Sequence, residues 1–260
     1  MTPKRLLIVA GSDSIGGAGL QADIKTACAF KTYAMTAVTA VTVQDTTGVH
    51  AIHSIPPQIV AAQIRVCLDD IGADAIKIGM LGSKAVVEAV TSALAPHKRI
   101  PIVLDPVMLS TSGHALLDED AIEALKTGLL PGTIVTPNAP EAARLTDESI
   151  ETPFDLQRAG EMLIAMGARA AVVKGGHLAG DTVSDVLVTK DGTEHYESPR
   201  IATKHTHGTG CTLSAAIACA VAEGVDLPTA VSRARLYVQQ AIKHAPGFGR
   251  GAGPVGHFTG

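Results

Sequence analysis

Tryptophan is missing from this chain of 260 residues, and the aromatic residues together make up only 3% of it. Its core must therefore be built from aliphatic side chains. Cysteine is scarce: the four present, Cys28, Cys67, Cys211 and Cys219, form no CxxC pair and have no paired histidines beside them. That excludes a disulfide scaffold and the common zinc-site spacings. Neither sign of charge dominates. A net charge of −4 supplies no basic face for nucleic acid or for an anionic membrane. Long apolar runs are lacking as well. No window approaches a membrane span, and the first run, Leu6 to Ala10, is too short for the core of a secretion signal. The 26 glycines keep no triplet period, so a collagen-like chain is excluded. The expectation is a cytoplasmic protein with free thiols and with neither a nucleic-acid nor a membrane partner.

What is present is a large apolar fraction. Hydrophobic residues make up 46% of the chain and charged ones 18%, which excludes disorder. A chain of this mass buries roughly 70–75% of the surface its unfolded form exposes. With no linker, repeat or low-complexity stretch, residues 1–260 read as one domain.

Short β-branched runs alternate with helix-period stretches. The runs are Arg5–Ala10, Ala34–Val43, Ala75–Gly79, Pro101–Asp105, Thr133–Thr136 and Ala170–Lys174. They are apolar on both faces, as buried parallel strands are. Helical patterns lie near 19–30, 57–71, 83–95, 118–128 and 153–167. The segment 183–197 reads as a hairpin turning at KDG, and two Ala-rich helices, near 210–223 and 228–245, follow. Repeated βα units imply an α/β fold, with a mostly parallel sheet covered on both faces. Ligands in such folds gather at the carboxyl ends of the strands.

Several polar segments follow those strand ends. Gly11 opens GSDSIGGAG, where glycines would let a ligand approach the backbone and a helix start favours anions. The phosphate-loop pattern fails there, since Gly17 stands where lysine is required. The dinucleotide pattern fits Gly17, Gly19 and Ala22, yet no acid follows across Thr36 to Ala40. A plain strand-to-helix turn is the alternative. Asp23 either contacts a ligand or favours its helix dipole. The Gln44 amide is suited to a heteroaromatic ring edge, or is a polar strand end. Asp105 before Pro106 suits a hard cation such as Mg²⁺, and Asn138 and Glu141 would add an amide and a carboxylate along the same edge. Taken singly, Asp and Asn are common at helix caps; taken together, these residues favour a site. Lys174, beside two glycines, reaches for phosphate oxygens or lies along the sheet edge.

Gly208-Thr209-Gly210-Cys211 leads straight into an apolar helix, so its amides would form an anion hole for a transferring phosphoryl group. A glycine-rich cap with a small buried cysteine is the alternative. In the first turn of a helix the Cys211 thiol pKa should fall, allowing a thiolate to take a proton from an attacking hydroxyl. Cys28, Cys67 and Cys219 read as core.

In this order, the early glycine turn, Asn138-x-x-Glu141 and Gly208-Thr209-Gly210 resemble the ribokinase-like superfamily. AGSDSIGGAGLQADIKT, VTVQDTTGV, KIGML, VLDPVM, the TSG near Ser112, LLP, TPNAPEA, VVKGGH, THGTGCTLSAA and GPVGHF resemble more closely the hydroxymethylpyrimidine/phosphomethylpyrimidine kinases of thiamine biosynthesis. The likeness runs from residue 7 to residue 258. It implies a three-layer α/β/α fold with a small β lid. It also implies ATP- and Mg²⁺-dependent phosphorylation of 4-amino-5-hydroxymethyl-2-methylpyrimidine, then of its monophosphate, usually in a homodimer. Gly11, Asp23, Gln44, Met80 and Val107 would line the pyrimidine pocket. Gly208, Thr209 and Gly210 would form the anion hole, with Cys211 as base. Asp105 and Glu141 would organise Mg²⁺ and phosphates, with Asn138 and Lys174 near the nucleotide. Sugar kinases of the superfamily carry Asp where this chain has Cys211. A base matters more to an alcohol than to a phosphate nucleophile, so Cys211→Ala should slow the first phosphorylation more than the second. A pyridoxal kinase of the same branch is the near alternative, and a non-catalytic pyrimidine or nucleotide sensor is one of a different class.

Overall fold

A computed structural model describes residues 2–110 and 113–258; of the TSG around Ser112, Thr111 and Ser112 lie outside the described residues. Alternation of apolar side chains sets the layers. In β1 (Arg5–Ser12), Leu7 and Val9 face one core, while Leu6, Ile8 and Ala10 face the other. The same alternation recurs in β4 (Ala75–Ile78) and β7 (Ala170–Lys174). Both faces are therefore apolar and both are covered by helices. One side holds α2 (Pro57–Asp70), α3 (Lys84–Leu94), α4 (Glu119–Ala124), α5 (Ala139–Thr146) and α6 (Pro153–Ala165). The other holds α1 (Gly19–Ala29), α7 (Thr209–Glu223) and α8 (Leu227–Lys243).

The remaining strands are β2 (Tyr33–Asp45), β3 (Gly48–Ser54), β5 (Ile102–Leu104), β6 (Ile134–Val135), β8 (Thr182–Thr189) and β9 (Gly192–Pro199). The order across the sheet is β3-β2-β1-β4-β5-β6-β7-β8-β9. Strands β2, β1, β4, β5, β6 and β7 are parallel, and β3, β8 and β9 are antiparallel at the two edges. The chain leaves β1 toward β2 on one side and returns to β4 on the other. That reversal opens a crevice beyond the strand ends.

Two elements escape the sequence patterns. β3 pairs only with Ala40–Asp45 and buries none of its residues, so it has no apolar period to read. β1 reaches only to the level of Val41, so the β2–β3 hairpin projects past it and carries Gln44. This is the small β element beside the crevice. α5 is short and is set by its cap rather than by periodicity. The pattern near 118–128 divides into α4 and a π turn over Leu125–Leu129. The core assignment of the spare cysteines holds fully for Cys219, which is buried. Cys67 is intermediate, and Cys28 is exposed, because its position on α1 faces away from both cores.

Candidate active site

A cavity of about 700 Å³ opens at the carboxyl ends of the parallel strands. β1 contributes Gly11, β4 is followed by Met80, β5 by Asp105 and Val107, and β6 by Asn138 and Glu141. β7 ends on Lys174, the hairpin tip adds Gln44, and the start of α7 supplies Gly208 to Cys211. Twelve of the thirteen residues singled out in the sequence line this one cavity. The exception is Asp23.

One end of the cavity is built for anions. Gly208 takes a left-handed conformation (φ 88°) and starts α7, so the helix points its amides into the cavity. The Thr209 amide already donates to Thr206 O at 3.2 Å, which leaves Gly210 and Cys211 as the better placed donors. Lys174 Nζ lies 2.9 Å from Asp105 Oδ1, and Ser214 Oγ lies 3.3 Å from Asp105 Oδ2. Burial alone would raise the Asp105 carboxyl; Lys174 and Lys77 together outweigh it and hold Asp105 below the usual carboxylate range. Glu141 goes the other way. Burial, reinforced by Asp105 and opposed by Lys174, pushes it up to about 7. Asn138 and Glu141 also form a reciprocal cap: Asn138 Oδ1 accepts from Glu141 N, and Glu141 Oε2 accepts from Asn138 N, both at 2.9 Å. Capping and cavity lining are thus the same pair of residues.

The Gly208 turn has no room for a side chain. A Cβ there would lie 1.8 Å from Gly17 O, besides the strain of its φ. Gly208→Ala is expected to cost roughly 2 kcal/mol and to lower the unfolding midpoint by roughly 5 °C. Gly176 also lines the cavity, but a Cβ there meets nothing within 4 Å. Gly176→Ala should leave the midpoint near that of the parent, and differential scanning calorimetry on the two variants checks the contrast.

At the cavity floor, where Lys77 joins the lining, lies a buried charge cluster that sequence reading missed. Lys77 sits in the middle of β4 with 0% exposure, on the face shared with Ala75. Its Nζ reaches Asp23 Oδ2 of α1 at 2.8 Å. The signal was there: a single charge inside the apolar run AIKIG. Asp23, expected to touch the ligand, is instead fully buried against Lys77. Its position one turn into α1 points at the sheet rather than into the crevice. Burial raises the Asp23 carboxyl to about 6 despite the ammonium beside it. Lys77 is raised, because Asp23, Cys211 and Asp105 together outweigh its burial.

The same cluster overturns the expectation for Cys211. Burial pushes its thiol up to about 12, with Asp23 and Asp105 adding to the rise. Lys77 and the Gly19 amide pull the other way and do not compensate. The helix N-terminus was the only influence visible in the sequence; desolvation and two carboxylates are stronger. Cys211 is a thiol, not a thiolate, at neutral pH.

The first glycine turn packs against the Gly208 turn and shapes the side of the cavity that carries Gln44. Asp13 folds back into that turn, where Oδ2 accepts from Gly17 N at 2.9 Å and Ala18 N at 2.8 Å. These amides are therefore taken by the protein's own carboxylate, and the turn is not an anion site. Gly19 (φ 54°) is required, since a Cβ would stand 2.3 Å from Gly11 O. Asp13 Oδ2 also lies 2.9 Å from His207 Nε2, which is 3.3 Å from the Gln44 amide nitrogen. His207 and Asp13 are two further residues that sequence reading assigned no role, because 194 positions separate them.

Comparison with known proteins finds kinases. The model of the phosphomethylpyrimidine kinase family matches residues 13–256. A hydroxymethylpyrimidine/phosphomethylpyrimidine kinase of Streptomyces coelicolor is 48% identical over 99% of this chain and 95% of its own length. A thiamine biosynthesis bifunctional protein, ThiED, of Geobacter sulfurreducens is 45% identical over 97% of this chain, which spans 52% of that longer protein. Among solved structures, an ADP complex of Bacillus subtilis pyridoxal kinase superposes with a TM-score of 0.91 at 34% identity, covering 98% of each chain.

Proposed function

The chain belongs to the phosphomethylpyrimidine kinase family, and on that premise we infer how its cavity divides the work of two phosphoryl transfers. The enzyme uses ATP to phosphorylate 4-amino-5-hydroxymethyl-2-methylpyrimidine and then its monophosphate, giving the pyrophosphate for thiamine biosynthesis. The observation that carries the division is the polarity of the cavity. Gln44, at the tip of the β2–β3 hairpin, stands across the sheet from Lys174 at the end of β7, with the N-terminus of α7 between them.

In this reading Gln44, Gly11, Met80 and Val107 hold the pyrimidine ring. The amides of Gly210 and Cys211 receive the transferring phosphoryl group, and Lys174 neutralises charge on it. Little covalent chemistry falls to the protein. Positioning of an alcohol or phosphate oxygen in line with the γ-phosphorus supplies most of the acceleration. The donor set fits a Mg²⁺ ion that keeps waters and takes ATP oxygens, since Asp105 and Glu141 lie close enough for the Asp105 charge to raise the proton affinity of Glu141. Those two residues would hold the ion, which would supply charge neutralisation on the phosphates.

Cys211 then has a testable role. Its raised thiol makes the thiolate a trace species at neutral pH that grows about tenfold per pH unit. Acting as base for the alcohol, it gives the first phosphorylation a rate that still rises between about pH 8 and about pH 9, above the range in which Glu141 ionises, while the second stays flat there. Cys211→Ala is expected to abolish that slope and leave the second step little changed. Flat profiles for both steps in the parent would reduce Cys211 to shaping the cavity. Single-turnover rates on each substrate make the comparison.

The pyridoxal kinase alternative keeps one supporting observation, the fold match to a pyridoxal kinase. The relatives named for the pyrimidine and for thiamine biosynthesis are closer in sequence, at 48% and 45% against 34%. Mass-resolved product formation with ATP and Mg²⁺ decides between them. Mono- and then diphosphorylated pyrimidine, with little pyridoxal phosphate, is the expected result. Pyridoxal phosphate alone would reassign the enzyme, and no product from either would revive the sensor. We also carry a single working domain over 1–260, a homodimer and a cytoplasmic location as proposals. Exposed Val41 and Val43 on β2 offer apolar surface for a second copy. Among the described residues no helix is long and apolar enough to cross a membrane.

A further inference from the structure

Gln44 presents a carboxamide to the cavity, and its two ends have the same shape but opposite hydrogen-bonding character. Which end faces which neighbour is decided by the neighbours. Asp13 accepts from the backbone amides of Ile15, Gly17 and Ala18. Burial pushes its carboxyl up, but His207 and those amides outweigh that and hold it low. An ionised carboxylate only accepts, so His207 Nε2, 2.9 Å away, must carry the proton. The nitrogen of the Gln44 amide, 3.3 Å from that N–H, would then oppose donor to donor. Thr42 repeats the conflict at the other end. Its one hydroxyl proton goes to Ser12 O at 2.9 Å, yet Gln44 Oε1 lies 3.3 Å from the same Oγ1. Half a turn of the carboxamide removes both conflicts at once. Oε1 then shares the His207 Nε2–H with Asp13 Oδ2 in a three-centre hydrogen bond, its longer arm at 3.3 Å, and Nε2 donates to Thr42 Oγ1.

We propose that the Asp13–His207 pair is a positioning device that locks the Gln44 carboxamide in this one orientation, and thereby sets the direction in which the aminopyrimidine edge is read. Each end of the amide has one hydrogen-bonding position left for the cavity. Its oxygen accepts from an exocyclic amine, and its N–H donates to the adjacent ring nitrogen. 4-Amino-5-hydroxymethyl-2-methylpyrimidine carries that amine and ring nitrogen side by side; pyridoxal has no such pair. Reading the edge in one direction only also fixes the side on which the hydroxymethyl group lies. The seat is built for the imidazole: a Cβ on Gly17 would come within 2.5 Å of the His207 ring. The inference rests on the pyrimidine-kinase reading above.

The experiment compares His207→Leu, His207→Asn and His207→Gln, each alone and in a Gln44→Ala background. Leu has no donor, and Asn ends short of the Nε2 position. Gln places an amide N–H near it. Calorimetric affinity for the pyrimidine and steady-state KM and kcat for pyrimidine, pyridoxal and ATP are measured. His207→Leu and His207→Asn should each weaken pyrimidine binding about tenfold, the size of one lost hydrogen bond plus a freed amide rotor. The KM values for pyridoxal and ATP should hardly move, and His207→Gln should recover most of the loss. With Gln44→Ala already present, the histidine substitutions should add nothing, since they act through the amide. A loss that persists in full without Gln44, or that His207→Gln does not relieve, overturns the inference and leaves the pyrimidine-kinase reading intact. A parent that binds no pyrimidine, or a Gln44→Ala variant that binds it as well as the parent, overturns both.

Discussion

Replacing Lys174 with methionine is expected to lower kcat for both phosphorylations by about 10²–10³-fold, the cost of removing one preorganised charge from a developing phosphoryl group. The ammonium lies 2.9 Å from Asp105 Oδ1, and a Cβ built on Gly210 would come within 3.3 Å of it. It therefore stands between the carboxylate and the amides that open α7. KM for the pyrimidine should change little, because Lys174 stands across the sheet from Gln44. A second consequence follows from charge. Lys174 is the chief influence holding Asp105 low, and it restrains Glu141 as well. Without it both carboxyls rise, so residual activity should need a higher pH than in the parent. Steady-state kinetics across pH on both substrates test this. A large KM effect with unchanged kcat would place Lys174 outside the phosphoryl-transfer end.

The second large effect concerns stability. Lys77→Met is expected to cost about 3–5 kcal/mol, because it strands Asp23 as an uncompensated buried carboxylate. One Asp23 oxygen, Oδ1, has no hydrogen-bond partner even in the parent, so Lys77 is its main compensation. The sign with pH follows. Burial already raises the folded-state pKa of Asp23 to about 6, and losing the ammonium raises it further. An acid raised in the folded state makes folding weaker as pH climbs through that range. The deficit should therefore be smaller at about pH 5 than at about pH 8. Adding Asp23→Leu should return most of the loss, since an apolar pair can replace a buried ion pair at little cost. Urea unfolding of the parent, the single and the double variant measures all three. A double variant as unstable as the single would mean that shape, not charge, holds this layer together.

Much of the fold was legible because its signals are local. Arg5–Ala10 and Ala170–Lys174 are apolar on both faces, and only strands buried between two helical layers need that. β3 was invisible because no residue of it is buried, leaving nothing for a pattern to report. Most of the cavity was legible for a related reason. In a parallel α/β sheet a polar residue at a strand end has one place to go, and Gly11, Asp105 and Lys174 all went there. Asp23 was misplaced because helix phase, one step away from the crevice, cannot be read without the sheet it packs on.

By itself the sequence determined the succession of strands and helices along the chain apart from β3 and α5, the sheet edge on which the polar residues gather, and the Gly208-Thr209-Gly210 turn that opens α7. These depend on neighbours within a few residues. Tertiary structure alone decided the pairings Lys77 with Asp23, Lys174 with Asp105 and Asp13 with His207, which span 54, 69 and 194 positions. It also decided the protonation of Cys211. A thiol's proton affinity is set by how much water burial removes and by which charges face it. No stretch of sequence around residue 211 contains Lys77, Asp23 or Asp105.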